Sequence, residues 1–578
     1  MWISNQTNSQ INLQDKKAAA KAQQQSSQPA SRSATPAPRK APALGGGPST
    51  PNTPKKSVLS SVATSNPASK NSSALAKPQQ TQLQADMEGL NLEGSDQLNI
   101  IAEDLPAPKM SLTREKLLEE ARKAIGGTGL DDKKRKGLSL VIVGHVDAGK
   151  STMMGRLMYD LGQMEERKRR ENERESSKAG KGSFMWAWEM DALGEERERG
   201  VTIDINQTTL NLPQTNLTIL DAPGHRDFIP NMISGASQAD AALLVVDATV
   251  GEFEAGFAGG GQSREHVLLV RSLGVGMIVI AVNKMDMVNY SKARFDEICA
   301  TLKPFLTQSG YQPSKVAFVP CAGMAGVNLA ERNEETVKLM SWWSGPTLVG
   351  ALDALMPPAR PIEAPLRFPI SNVFKGGGSG SIATGVGVSG RLASGVLQVG
   401  ERLRILPGDE SAVVRTIENE EKSVPWAAAG SNVTLYLTNV DPVHLSIGAV
   451  LCPPSHIVPL ASSFTAQIIV FDIQVPITAG ATVELFHHSR DNPASVSKLI
   501  ATLDRATGEV LKANPRVLTK NTSARVLVTL RSGTLHSPTA KPVSIPIEPF
   551  SINKDMGRIL LRRGGETIAA GIVSEIFS

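Results

Sequence analysis

The stretch LSLVIVGHVDAGKST, Leu138 to Thr152, limits the possible folds more than any other part of the chain. An apolar run of strand length ends at Gly144, crosses four residues, and restarts at Gly149-Lys150-Ser151. Gly-x-x-x-x-Gly-Lys-Ser is the spacing of a phosphate-binding loop. Its glycines let backbone N–H groups curl around phosphate oxygens, Lys150 neutralises them, and the Ser151 hydroxyl is placed to ligate Mg²⁺. His145, Val146, Asp147 and Ala148 inside the loop, and Thr152 after it, complete the predicted cradle. The chemistry requires a strand before the loop and a helix after it, so this stretch commits the chain to a strand–loop–helix unit.

The text that follows extends that unit. Short apolar runs, LTILDAP, AALLVVDA, MIVIAVNK and VAFVPCAG, alternate with amphipathic stretches such as SREHVLLVRSLG and SKARFDEICATLKPFLTQSG. This alternation builds βαβ units and a parallel sheet covered on both faces. After MPPARPIEAP the helical text stops. Gly-punctuated, β-branched segments such as GSIATGVGVSGRLASGVLQVGERLRIL and FTAQIIVFDIQVPITAGATVELF take over and predict two all-β barrels. The expected division is an arm over 1–100, a helical linker over 101–136, a nucleotide-binding α/β domain over 137–360, and barrels over 361–457 and 458–578.

Composition refines this division. A chain of 578 residues exceeds the roughly 250 to 300 at which one hydrophobic core stops growing. No stretch approaches the ~18 consecutive apolar residues needed to cross a bilayer, and the N-terminal text lacks the apolar centre of a secretory signal. Three scattered cysteines argue against a disulfide framework or a cysteine zinc site. The expectation is a soluble, cytosolic protein with no membrane partner. The net charge of +5 belongs to the first hundred residues, which hold ten Lys or Arg against five Asp or Glu; the remainder balances at 51 to 51. Those hundred residues are polar with one aromatic, Trp2, and predict a disordered basic arm, either an RNA contact or a solvated linker.

Two further motifs identify the nucleotide. Asp221-x-x-Gly224 ends a strand, where a carboxylate reaches a Mg²⁺ shell and a glycine N–H meets a γ-phosphate. NKMD supplies Asn283, Lys284 and Asp286. The Asp286 carboxylate accepts both the ring N–H and the amino group of guanine, an arrangement adenine cannot satisfy. GTP and GDP are therefore the expected ligands, with Mg²⁺.

GHVDAGKST, ERERGVTIDI, DAPGHRDF and NKMD together resemble the translational GTPases, in particular the elongation factor 1-alpha branch, over about residues 101–578. That resemblance implies a P-loop GTPase domain followed by two barrels. It implies that Thr202 closes on Mg²⁺ beside Ser151, and that His225 positions the attacking water. It further implies that Val146 and Val201 form an apolar gate holding His225 back until ribosomal RNA draws it in. VPWAAAGSNVTLYL and GRILLRRGGETIAAGIVSEI look like the Hbs-type rescue GTPase, which delivers a Pelota-type, release-factor-like protein to stalled ribosomes as one half of a heterodimer. An elongation factor carrying aminoacyl-tRNA, a release factor 3-type GTPase, and a GTP-binding scaffold with idle hydrolysis are the alternatives.

Two departures from the family pattern stand out. PCAGMAG places Ala322-Gly323 where the family usually has Ser-Gly, which keeps backbone contacts to the base but removes a hydroxyl. The small helical domain of many rescue factors is not recognisable in residues 1–100. Met164 to Gly182 is densely charged and reads as a solvated helix or a ribosomal RNA contact, with the neighbouring SFMWAWEMD as its packing.

Overall fold

The computed structural model describes residues 110, 112–125, 135–178, 185–190, 205–225, 228–257, 261–332, 336–375, 385–420, 422–531 and 543–577. The predicted arm, Val201 and Thr202 lie outside them.

The first sheet carries six strands: β1 Lys136–Gly144, β2 Asn206–Asn211, β3 Thr215–Asp221, β4 Ala241–Asp247, β5 Met277–Asn283 and β6 Val316–Pro320, in spatial order β2-β3-β1-β4-β5-β6. Five strands are parallel, as the alternating text predicts. The edge strand β2 is antiparallel to β3, because only three residues join them and a parallel crossover needs a dozen or more. Alternate residues of each central strand feed two separate cores. Val141, Val143, Ala242, Leu244, Ile278 and Ile280 lie in one, and Leu140, Ile142, Leu243, Val245 and Val279 in the other. Burial on both faces explains why these strands read as continuous apolar runs.

Helices cover both faces. In chain order the α-helices among the described residues are α1 Arg114–Ile125, α2 Lys150–Asp160, α3 Glu166–Lys178, α4 Ile229–Ala236, α5 Glu252–Phe257, α6 Gln262–Ser272, α7 Lys292–Gln308, α8 Val337–Met340 and α9 Leu348–Asp353. α1 lies against the first barrel: Leu117 and Ala121, one turn apart, share an apolar cluster with Ile362, Val396, Ala428 and Ala429. The Gln398 amide closes the contact by accepting from Leu112 N at 3.2 Å and donating to Leu112 O at 3.0 Å. Trp186 packs its ring 5.1 Å from Tyr159 on α2 with Arg156 over its face. The described part of SFMWAWEMD, residues 185–190, therefore packs on the helix that follows the phosphate loop.

Two barrels follow. In the first, seven strands run in the order Arg402–Leu406, Val450–Cys452, Phe368–Lys375, Val386–Arg391, Asn432–Thr438, Glu410–Asn419 and Lys422–Val424, closed by pairing of Arg402–Leu406 with Glu410–Asn419. In the second the order is Ala481–His487, Arg558–Arg563, Glu566–Phe577, Ser463–Val470, Ser523–Leu530, Arg490–Leu503 and Val510–Ala513, closed between Ala481–His487 and Arg490–Leu503. Arg367 of the first barrel joins Glu548 of the second in a buried ion pair, with both donated hydrogen bonds reaching Oε1 at 3.1 and 2.7 Å. Among the described residues no helix is long and apolar enough to cross a membrane. Cys299, Cys321 and Cys452 are free, buried thiols.

Asp240 ties the α/β domain to the first barrel. Arg360 grips its carboxylate at 2.6 and 2.8 Å, Arg391 bonds Oδ1, and the Ser139 amide donates to Oδ2 at 3.0 Å. Burial alone pushes the carboxyl pKa upward, but Arg391 and Arg360 outweigh it and hold the group at about 2. A carboxyl depressed from its ordinary value near 3.8 contributes stability that is fully present above about pH 4 and is lost as pH falls through about 2. The shift corresponds to about 2 kcal/mol. Asp240→Asn should therefore lower the melting temperature at pH 7 and flatten its decline between pH 4 and 2. A decline as steep as that of the unmodified chain would remove Asp240 from the acid response.

Candidate nucleotide site

The ends of β1, β3, β4 and β5 place Gly144, Asp221, Asp247 and Asn283 along one edge of the sheet, where ligands of open α/β sheets bind. The loop after β1 curls into α2. Its N-cap, Gly149, takes φ 86°, a left-handed conformation, and an added Cβ would sit 2.6 Å from Asn283 Nδ2. Glycine is required at this position for both reasons. Lys150 is buried and its Nζ donates to the carbonyls of His145 at 2.9 Å and Gly144 at 3.3 Å. Burial pushes its pKa down, opposed by the charges of Asp221 and Asp147. An anion placed above the loop would restore the compensation that burial removes. Gly224 lies directly over the Lys150 ammonium, so close that a side chain has no space there.

The oxygens predicted to serve a metal are adjacent. Ser151 Oγ donates to Asp221 Oδ2 at 3.3 Å, and the Asp221 carboxylate is fully buried. Two hard oxygen donors from the protein suit Mg²⁺, which keeps waters and phosphate oxygens for its remaining positions. Thr152 follows Ser151 in the first turn of α2. Thr202 and the gate residue Val201 lie outside the described residues. Val146, half-buried, lines a small cavity with His145, Val246, Phe253 and Gly256.

The predicted base-reading residues have two different positions. Asn283 is buried and acts as a brace: its Nδ2 donates to Ala148 O at 2.9 Å and its Oδ1 accepts from Gly323 N at 2.8 Å. It joins the phosphate loop to the loop after β6. Lys284 takes φ 58° and pairs through Nζ with Asp247 Oδ2 at 2.7 Å. Asp286 follows in a 3₁₀ turn, Met285–Val288, with its side chain exposed. The turn is anchored by Met285 N donating to Cys321 O at 3.0 Å. Ala322 is buried and bridges to Val327.

His225 follows Gly224 and is half-buried. Its carbonyl accepts from Phe228 N at 3.1 Å and the two rings lie 5.9 Å apart. Three contributors were not predicted from the sequence: Asp247, which seats Lys284; Arg294, whose Nε donates to Ala248 O at 2.9 Å; and His266. His266 is fully buried within range of the loop. Burial, then the charges of Lys150 and His145, push its imidazole down to about 3, so it is neutral at working pH. Asp247 had a signal, a carboxylate at the end of an apolar strand. His266 had none beyond its place in a helical stretch.

Comparison with known proteins follows the same division. The family model described as the elongation factor Tu GTP binding domain matches residues 135–358, and the GTP-eEF1A C-terminal domain-like model matches 463–574. HBS1 of Drosophila melanogaster is 43% identical over 470 residues, covering 81% of this chain and 67% of that protein. Elongation factor 1-alpha of Aeropyrum pernix is 40% identical over 446 residues, covering 76% and 96%. Among solved structures, the GTP-bound Ski7 GTPase-like domain of S. cerevisiae shares the fold with a TM-score of 0.61 at 19% identity, covering 76% of this chain and 97% of its own. The loop cradle, the buried lysine and the carboxylate at its mouth, carried on a chain this similar to both relatives, place the protein in the family of translational GTPases of the elongation factor 1-alpha and HBS1 type.

Proposed function

We propose that this GTPase delivers a Pelota-type, release-factor-like protein to stalled ribosomes and hydrolyses GTP, under ribosomal stimulation, to let that partner accommodate. The carrying observation is the match to HBS1, at 43% identity over 470 residues and 81% of this chain. In this reading the cradle from Gly144 to Thr152 holds the phosphates, with Lys150 neutralising them. Ser151 and Thr202 hold Mg²⁺, which stabilises charge on the phosphates, and Asp221 supports its shell. Gly224 approaches the γ-phosphate. Asp286 reads guanine beside Asn283, Lys284 and the backbone of Ala322 and Gly323. His225 orients the attacking water, and Val146 with Val201 keeps it back before ribosome binding. The domain limits are those read from the sequence, and the site of action is the cytoplasm.

The deciding experiment measures single-turnover GTP hydrolysis with and without ribosomes, alongside binding of a Pelota-type protein, a release factor and aminoacyl-tRNA to the GTP-loaded chain. Stimulated turnover with preference for the Pelota-type protein is expected. Preference for aminoacyl-tRNA would make the chain an elongation factor, and binding without turnover would make it a scaffold.

A narrower test addresses the metal. Ser151→Ala should weaken Mg²⁺-dependent GDP binding by about tenfold or more, since a hydrogen-bonding oxygen at a charged centre contributes roughly 1.5 to 3 kcal/mol. Titration with Mg²⁺ present and chelated is the check. Equal affinity with and without the metal in both forms would remove Ser151 from the metal shell.

A further inference from the structure

Three serine hydroxyls from three parts of the chain meet at one point. Ser234 on α4 donates to Ser489 Oγ at 2.7 Å, and Ser489 donates to Ser371 Oγ at 3.2 Å. Ser371 lies on Phe368–Lys375 of the first barrel. Ser489 lies in the two-residue turn between Ala481–His487 and Arg490–Leu503 of the second, where His487 pairs with Arg490.

That turn is held firmly. His488 takes φ 52°, a conformation uncommon for residues other than glycine. The His487 ring, buried, donates from Nε2 to Met556 O at 3.0 Å and meets His488 edge to face at 4.4 Å. Gly448 of the first barrel lies so close to Arg490 that no Cβ would fit between them. Met232, Ile233 and Ala236 on α4 belong to the same apolar core as Phe486, three residues before Ser489.

α4 begins just after His225, and Phe228 N donates to the His225 carbonyl. At 1.5 Å per residue, the helix from Ile229 to Ser234 is a rod of about 8 Å with His225 just before one end and the serine contact near the other.

We propose that Ser489 is a positioning residue: through Ser234 it sets the pose of α4, and so of His225, and through Ser371 it makes that pose depend on the placement of both barrels. The proposal rests on the reading of His225 as the group that orients water. Rotation of the second barrel breaks both hydroxyl bonds and frees the helix to turn, while rotation of the first breaks only the Ser371 bond and loosens the turn that carries Ser489, so a partner that moves a barrel alters the hydrolytic group without touching it.

Hydrogen exchange of the full-length chain over Phe228–Ala236 tests the mechanical step, independently of catalysis. Ser489→Ala and Ser234→Ala should each raise exchange there by about threefold to tenfold, the worth of one or two hydrogen bonds. The double variant should be no faster than either alone, because both remove the same link. Ser489→Thr, which keeps a hydroxyl, should restore protection. Stimulated hydrolysis should fall by a similar factor in Ser489→Ala while GTP affinity and melting temperature hold. Unchanged exchange, or a double variant whose effect is the product of the singles, overturns the proposal. Intact hydrolysis in Ser489→Ala alongside lost hydrolysis in His225→Ala overturns the positioning role alone. Intact hydrolysis in both overturns the reading of His225, and the proposal with it.

Discussion

His225→Ala is expected to leave GTP affinity within about a factor of three while ribosome-stimulated turnover falls by about 10³-fold. Affinity should survive because the groups placed to hold the nucleotide lie elsewhere: Lys150 is set by the loop carbonyls and Asn283 by Ala148 and Gly323. The side chain removed would act chiefly in the transition state, where phosphoryl transfer to water asks the protein to position the nucleophile and neutralise developing charge. Hydrolysis without ribosomes should change little, since a group that is held back contributes little to the basal rate. The variant should reach the ribosome with its partner and stop there in the GTP form. Single-turnover hydrolysis on ribosomes loaded with a Pelota-type protein, with nucleotide affinity measured on the same preparation, distinguishes these effects. Normal stimulated turnover would reduce His225 to a link between β3 and α4.

What the sequence revealed and what it concealed divide along a physical line. The phosphate loop, Asp221 and Asn283 were legible because each ends an apolar run, and strand ends in a parallel sheet share one edge whatever the intervening text. The two barrels were legible from β-branched text with glycine punctuation. The antiparallel edge strand β2 was missed because the alternating pattern of the neighbouring runs suggested parallel pairing throughout. Contacts between domains left no trace. Asp240 sits at the end of SQAD, where no motif marks it, yet its arginine partners lie 120 and 151 positions away. Ser371 and Ser489 are ordinary strand and turn serines until the fold brings them together. Asn283 was expected beside the base, and its bracing of two loops was not foreseen, because a motif gives residue types and spacing but not which hydrogen bonds the fold itself uses.

That division within NKMD sets the expected behaviour of Asp286→Asn. Asp286 is the member of the motif whose carboxylate is exposed on the 3₁₀ turn, while Asn283 braces two loops and Lys284 pairs with Asp247. The turn is fixed without help from the Asp286 side chain, since Met285 N donates to Cys321 O and Tyr290 N to Met285 O at 2.8 Å. Trp342 Nε1 donates to Tyr290 O, also at 2.8 Å. The substitution should therefore leave the fold and its melting temperature nearly unchanged, which separates a recognition effect from a structural one. If the carboxylate accepts from both the guanine ring N–H and its amino group, the amide loses two charge-assisted hydrogen bonds at roughly 1.5 to 3 kcal/mol each. GDP and GTP affinity should then fall by about 10² to 10⁴-fold. Xanthine nucleotides should gain, because xanthine has a carbonyl where guanine has its amino group, and the asparagine N–H₂ donates to it. Asn283→Ala should behave differently, lowering the affinity for both bases and the melting temperature together. Titrating the Asp286→Asn chain with guanosine and xanthosine diphosphates is the measurement, and a variant that binds GDP as tightly as the original would show that the base is read elsewhere.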